Sequence, residues 1–245
     1  MPIDNPIEKI RDIGEEGDDS FGDLILAGGA FSPLIALIGV VKVVMDSAEQ
    51  KARFRAALRG LCDVLQELKD RLPSDVESAL RLEWFKRAVQ VLIEESVRAP
   101  SEERAVLLGR AAGHGCFPGE EDRHRQEDLA IYLRELAQLG TEDVRMLKLL
   151  RDVYKEAIRI APNLNKPDFF TERLESFKRA ILELGIHPDD SVAVCARLSG
   201  FGLAYEVPRV NTRQSPEDHC FRPTRRGLYL LALLDAARAP RIKEN

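Results

Sequence analysis

The residues best suited to chemistry are a few histidines and cysteines. His114, Cys116 and His124 lie in or beside the segment GHGCFPG, and imidazole and thiolate groups are good zinc ligands. Their spacing matches no standard zinc site and no fourth ligand is evident, so we expect no bound metal. His219 and Cys220 are neighbours in a predicted strand. Consecutive side chains of a strand point to opposite faces, so this pair would not act together as nucleophile and base.

The paired acids do not indicate catalysis either. Each group lies near a predicted helix end or on a polar face, where the helix dipole and solubility explain it. The groups are Glu94-Glu95, Glu102-Glu103, Glu120-Glu121-Asp122 and Asp189-Asp190. No dinucleotide loop, phosphate loop, nucleophile elbow or HExxH helix occurs in the sequence. We therefore predict a protein that is not an enzyme, with no catalytic residues and no cofactor.

The composition is that of a globular protein. The chain has 245 residues, of which 44% are hydrophobic and 31% charged, enough for one large domain or two small ones. The formal net charge of −5 gives no global reason to expect nucleic-acid binding. Acids dominate residues 1–23, whereas the chain from Ile186 onward is slightly basic. We expect the first 22 residues to form a loose acidic tail.

The cysteines and the N-terminus predict a cytoplasmic protein. Cys62, Cys116, Cys195 and Cys220 include no CxxC pair, and the acidic start does not resemble a secretory signal. We therefore expect reduced thiols.

One apolar stretch, from Leu24 to Val41, contains no charge and raises the question of a membrane segment. Gly28-Gly29 and Ser32-Pro33 divide it. The helix predicted from Pro33 would be apolar for only about 14 Å, at about 1.5 Å per residue, whereas a hydrocarbon core needs about 30 Å. We expect core packing, with peripheral membrane contact through residues 24–44 as the alternative.

Hydrophobic spacing predicts a mainly α protein, with an N-terminal helical bundle at residues 23–161 and a small α+β winged-helix-like domain at residues 168–240. A linker rich in Pro and Asn at 162–167 separates them. Predicted bundle helices run from about Pro33 to Leu72, Val76 to Val97, Ser101 to Ala112, Glu120 to Leu139 and Thr141 to Ile160, with a loop at Gly113–Gly119.

The C-terminal domain is predicted as helix, short helix, turn, strand, polar wing, strand and helix. Its elements are Phe169–Leu184, Asp190–Ser199, Gly200–Gly202, Leu203–Val210, Asn211–Asp218, His219–Arg222 and Arg225–Ala237. Gly202-Leu203 and the sequence Pro223-Thr224-Arg225-Arg226-Gly227 resemble the turn and the final-helix start of MarR-type winged helix-turn-helix regulators. That resemblance implies a winged-helix shape and leaves the function open.

DNA binding is the alternative function that this resemblance raises. The predicted contact residues are Arg197, Arg209, Arg213, Arg225 and Arg226. The helix that would enter the groove starts with Asp189 and Asp190 and has Arg197 as its only base. Acids at a helix N-terminus repel phosphate, so we favour a winged helix used for packing or for protein contact instead.

The whole arrangement also resembles the abortive-infection alpha family of bacterial proteins. The corresponding pieces are the leucine-spaced segment from Leu129 to Leu150, the Gly202-Leu203 turn and the segment from Thr224 to Gly227. The resemblance implies a role in phage defence or stress and transfers no catalytic residue. We therefore predict a non-enzymatic interaction or regulatory protein with a protein partner.

Overall fold

In the residues that the structure describes, the fold is mainly helical with a small two-stranded sheet, which agrees with the predicted fold class at this coarse level. The computed structural model describes residues 47–71, 82–117, 125–160, 177, 179–183, 185–206 and 221–239. The elements are α1 (Ala48–Arg71), α2 (Glu83–Arg98), α3 (Glu102–Gly115), α4 (Leu129–Gln138), α5 (Thr141–Ile160), α6 (Pro188–Gly200), β1 (Ala204–Glu206), β2 (Phe221–Pro223) and α7 (Arg225–Arg238).

The chain divides into two compact units. The first comprises Met1–Gln138 with Leu233–Asn245, and the second comprises Leu139–Ala232. Helix α5, which we predicted as the last helix of the bundle, thus groups with α6 and the strands. Its buried residues Val144 and Leu147 supply an apolar face to that unit. The predicted linker at 162–167 lies outside the described residues.

In the first unit, α1 and α3 approach each other through small residues. A Cβ on Gly109 would lie 1.9 Å from the carbonyl oxygen of Ala57, and one on Gly113 would lie 2.6 Å from Cβ of Val64. Such contact leaves no room for a side chain at either glycine. The predicted loop at Gly113–Gly119 is therefore wrong at its start, because α3 continues through Gly115. The glycines there permit close helix packing instead of a turn.

Two predicted helices of this unit, Val76 to Val97 and Glu120 to Leu139, are not continuous, and their predicted first residues lie outside the described residues. Leu82, expected inside a helix, has extended backbone (φ −81°, ψ 145°) and immediately precedes α2. Its side chain is 47% exposed, so little burial would hold it in a helix. Residues 125–128 form a turn with Leu129 N donating to Gln126 O, and α4 begins only at Leu129. The Gln126 side chain holds this turn by donating to Cys116 O at 2.6 Å.

In the second unit, glycines end the helices where expected. Gly185, which follows the helical residues 179–183, and Gly202, which follows α6, both have φ of +69°, the left-handed conformation that closes a helix. Gly202 N donates to Ser199 O and Leu203 N donates to Leu198 O, which completes the C-terminal cap of α6. The predicted short helix Asp190–Ser199 is thus confirmed, extended to Pro188–Gly200.

The two strands of this unit pair antiparallel. Ala204 lies opposite Pro223, Tyr205 opposite Arg222, and Glu206 opposite Phe221. Pro223, predicted as part of the α7 cap, therefore belongs to β2. The polar segment between the strands lies outside the described residues, as do the acidic tail and residues 24–44. In the described part of the chain, no helix is long and apolar enough to cross a membrane.

Candidate interaction site

Arg197, the only base of the helix predicted to read DNA, is bound to a carboxylate of the same unit. Its Nη2 lies 2.6 Å from Oδ1 of Asp143, and its Nε donates to the same oxygen at 2.8 Å. The Asp143 side chain is only 2% exposed, whereas that of Arg197 is 50% exposed. The guanidinium therefore covers a buried negative charge with one edge and meets solvent with the rest.

Asp143 is placed by the start of α5. It is the third residue of the helix, and its Oδ2 accepts a hydrogen bond from Gly140 N at 2.8 Å. An acid in the first turn satisfies exposed N–H groups and complements the positive end of the helix dipole. Both carboxylate oxygens are thus bonded, one to the backbone before α5 and the other to α6. The predicted helix from Thr141 to Ile160 already has Asp143 in its first turn, but the sequence did not indicate Arg197 as its partner.

The solvent face of α6 carries mostly small side chains. The exposed residues of this face are Asp190, Ala193, Ala196, Arg197 and Gly200. Val194, Cys195 and Leu198 lie on the opposite face and are buried. A helix that reads base edges needs long donors and acceptors on its exposed face. Among the described side chains of this face, Arg197 is the only one of that kind, and it already binds Asp143.

Hydrogen bonds of Thr224 connect the turn after α6 to the start of α7. The Thr224 hydroxyl donates to Gly202 O at 2.8 Å and accepts from Gly227 N at 3.0 Å. Thr224 N donates to Leu203 O at 2.9 Å. A Cβ on Gly227 would lie 2.2 Å from that same oxygen. The Gly-Leu and Thr-x-x-Gly motifs therefore contact each other directly. Glycine is needed at position 227, because α7 passes so close to the turn that a side chain would not fit there.

Two of the four remaining predicted arginines lie in the described residues. Arg225 is exposed and Arg226 is partly exposed at the start of α7, while Arg209 and Arg213 lie outside the described residues. The guanidinium carbon of Arg222, in β2, lies 4.0 Å from the centroid of the Tyr205 ring. An arginine over an aromatic face gains a cation–π interaction. The strand pairing of these two residues explains the stack.

The histidine–cysteine candidate occupies the end of α3 and the residue after it. The Cys116 thiol is buried and donates to Ala112 O at 3.0 Å, and burial strongly raises the pKa of Cys116. Burial, followed by the charge of Arg110, lowers the pKa of His114, against a smaller opposite effect of Glu67. A metal ligand must be a thiolate, and this environment disfavours the thiolate form. His124, His219 and Cys220 lie outside the described residues.

Three acids of the predicted pairs, Glu94, Glu95 and Glu103, have local structural partners. A hydrogen bond from Ser101, at the start of α3, lowers the pKa of Glu103. Glu94 accepts from Gln90 and pairs with Arg134, and Glu95 pairs with Arg98. Within the described ranges, no three His, Cys, Asp or Glu side chains are grouped closely enough to hold a metal ion.

The chain was also compared with known proteins. Protein-family models, curated proteins and solved structures contain no match to this sequence or fold. The two family resemblances therefore rest on the short motifs around Gly202 and Thr224 and, for the abortive-infection alpha family, on the leucine-spaced segment from Leu129 to Leu150.

Proposed function

We propose that this chain is a non-enzymatic interaction or regulatory protein whose C-terminal winged-helix-like part contacts protein. The ion pair between Arg197 and Asp143 is the observation that carries this proposal. The resemblance to the abortive-infection alpha family supports placing the role in phage defence or bacterial stress.

The ion pair opposes DNA reading by α6 for an energetic reason. To reach a base or a phosphate with its Nε edge, Arg197 would have to leave Asp143. Asp143 would then keep its bond to Gly140 N and lose the partner of its other buried oxygen. An unsatisfied buried acceptor costs about 1–3 kcal/mol, which DNA contacts would first have to offset. A protein partner can use the same face without breaking this pair.

The face itself suits protein contact better than phosphate contact. Ala193, Ala196 and Gly200 are exposed and short, so another backbone can approach α6 closely. Asp190, at the start of this face, repels phosphate. A protein partner needs neither a positive potential nor long donors at the centre of its contact.

One observation favours the alternative, a DNA-binding regulator. Arg222 stacks on Tyr205, and Arg225, three residues further along the chain, is exposed; arginines beside a wing can contact the DNA backbone. We would test this with the full chain, measuring duplex binding by fluorescence anisotropy at about 50 mM and about 200 mM salt. We expect no binding that weakens steeply with salt. Such binding, reduced by Arg225→Ala, would replace our proposal with the alternative.

The protein-contact proposal has its own experiment. The tagged full chain would be purified from its native cells, and bound proteins would be identified by mass spectrometry. Ala196→Arg places a long charge on the exposed face of α6, and Ala232→Arg makes the same change at an exposed position of α7. We expect a stoichiometric partner with the wild type and Ala232→Arg, and its loss with Ala196→Arg. A chain that remains alone, or a partner equally retained by both variants, contradicts contact through α6.

A further inference from the structure

No further inference is drawn: the strongest candidate, the row of small exposed side chains on α6 formed by Ala193, Ala196 and Gly200, carries nothing more because nothing in the described residues shows what covers it.

Discussion

Gly109 in α3 faces the main chain of Ala57 in α1 so closely that a Cβ on Gly109 would lie 1.9 Å from the Ala57 carbonyl oxygen. Backbone cannot move aside as the end of a flexible side chain can, so the two helices would have to separate. Leu61 and Leu108, which are buried in these helices, would lose packing if that happened. The approach of α1 and α3 therefore depends on the absence of a side chain at position 109.

Gly109→Ala should consequently lower the free energy of unfolding by about 1–3 kcal/mol, the usual cost of overpacking a core. Urea denaturation followed by circular dichroism measures it. Gly200→Ala is the matched control, because a Cβ there meets nothing within 4 Å. In a helix, alanine is favoured over glycine by about 0.5–1 kcal/mol, so this control should be neutral or stabilising. Equal stability of the two variants would refute the close contact.

Thr224→Val should destabilise the second unit by about 1 kcal/mol. Valine has nearly the shape of threonine but supplies neither the bond to Gly202 O nor the acceptor for Gly227 N. The measurement is again the free energy of unfolding, with Thr141→Val as a control at the exposed first residue of α5. If both substitutions change the free energy of unfolding equally, the Thr224 hydroxyl does not stabilise the connection between the turn and α7.

The pair of Asp143 and Arg197 predicts a measurable coupling energy. A double-mutant cycle with Asp143→Ala and Arg197→Ala should give a coupling free energy of about 1 kcal/mol. This value is lower than that of a fully buried pair, because half of the Arg197 side chain is exposed to solvent. Asp143→Ala alone should cost more than Arg197→Ala, since it also removes the acceptor for Gly140 N. The coupling should decrease as salt is added, because salt screens exposed charge.

The same variants also distinguish a structural role of Arg197 from a role in DNA binding. If the role of Arg197 is to pair with the buried Asp143 carboxylate, Arg197→Ala should lower the free energy of unfolding and leave duplex binding at its wild-type level. Coupling close to zero, together with weaker duplex binding by Arg197→Ala, would show that the arginine acts on nucleic acid.

His114 predicts a dependence of stability on pH. Its pKa lies below the ordinary value of 6.5 in the native state, mainly because of burial. Below about pH 6.5 the unfolded chain therefore binds more protons at this residue than the folded chain does. This contribution to the free energy of unfolding is intact above that pH and decreases as the pH falls towards the native pKa.

Urea denaturation of the wild type and of His114→Gln between about pH 7.5 and about pH 5 tests this expectation, as does titration of the His114 ring by NMR. Glutamine carries no titratable group, so the variant should lose less stability on acidification. Parallel curves for the two proteins would contradict a lowered pKa for His114.

Local sequence signals located several helix ends correctly. Ser101 accepts from Arg104 N, Thr224 accepts from Gly227 N, and Gly185 and Gly202 take the left-handed conformation. Each of these features needs only a few consecutive residues, because a cap satisfies N–H or C=O groups within one turn of its own helix. Leucine spacing likewise identified α4, whose residues Leu129, Leu133 and Leu136 are buried.

The wrong helix boundaries arose where one type of residue occurs in two kinds of local structure. Glycine usually marks a turn, yet Gly113 lies inside α3 because Val64 of another helix needs the space. Apolar spacing predicted that Leu82 lies in a helix, although the backbone at this residue is extended. For Gly113, nothing nearby in the sequence distinguishes the two kinds of structure, because Val64, the neighbour that decides, is distant along the chain.

The sequence by itself determined that the chain is mainly helical, where many of its helices end, and which short motifs begin α7, because those outcomes depend on local backbone hydrogen bonds and hydrophobic spacing. Only the tertiary structure decided that Arg197 binds Asp143, which is 54 residues away, and that Gly109 lies against Ala57. Contacts of this kind form when packing brings distant segments together, and packing depends on the complete set of surrounding side chains.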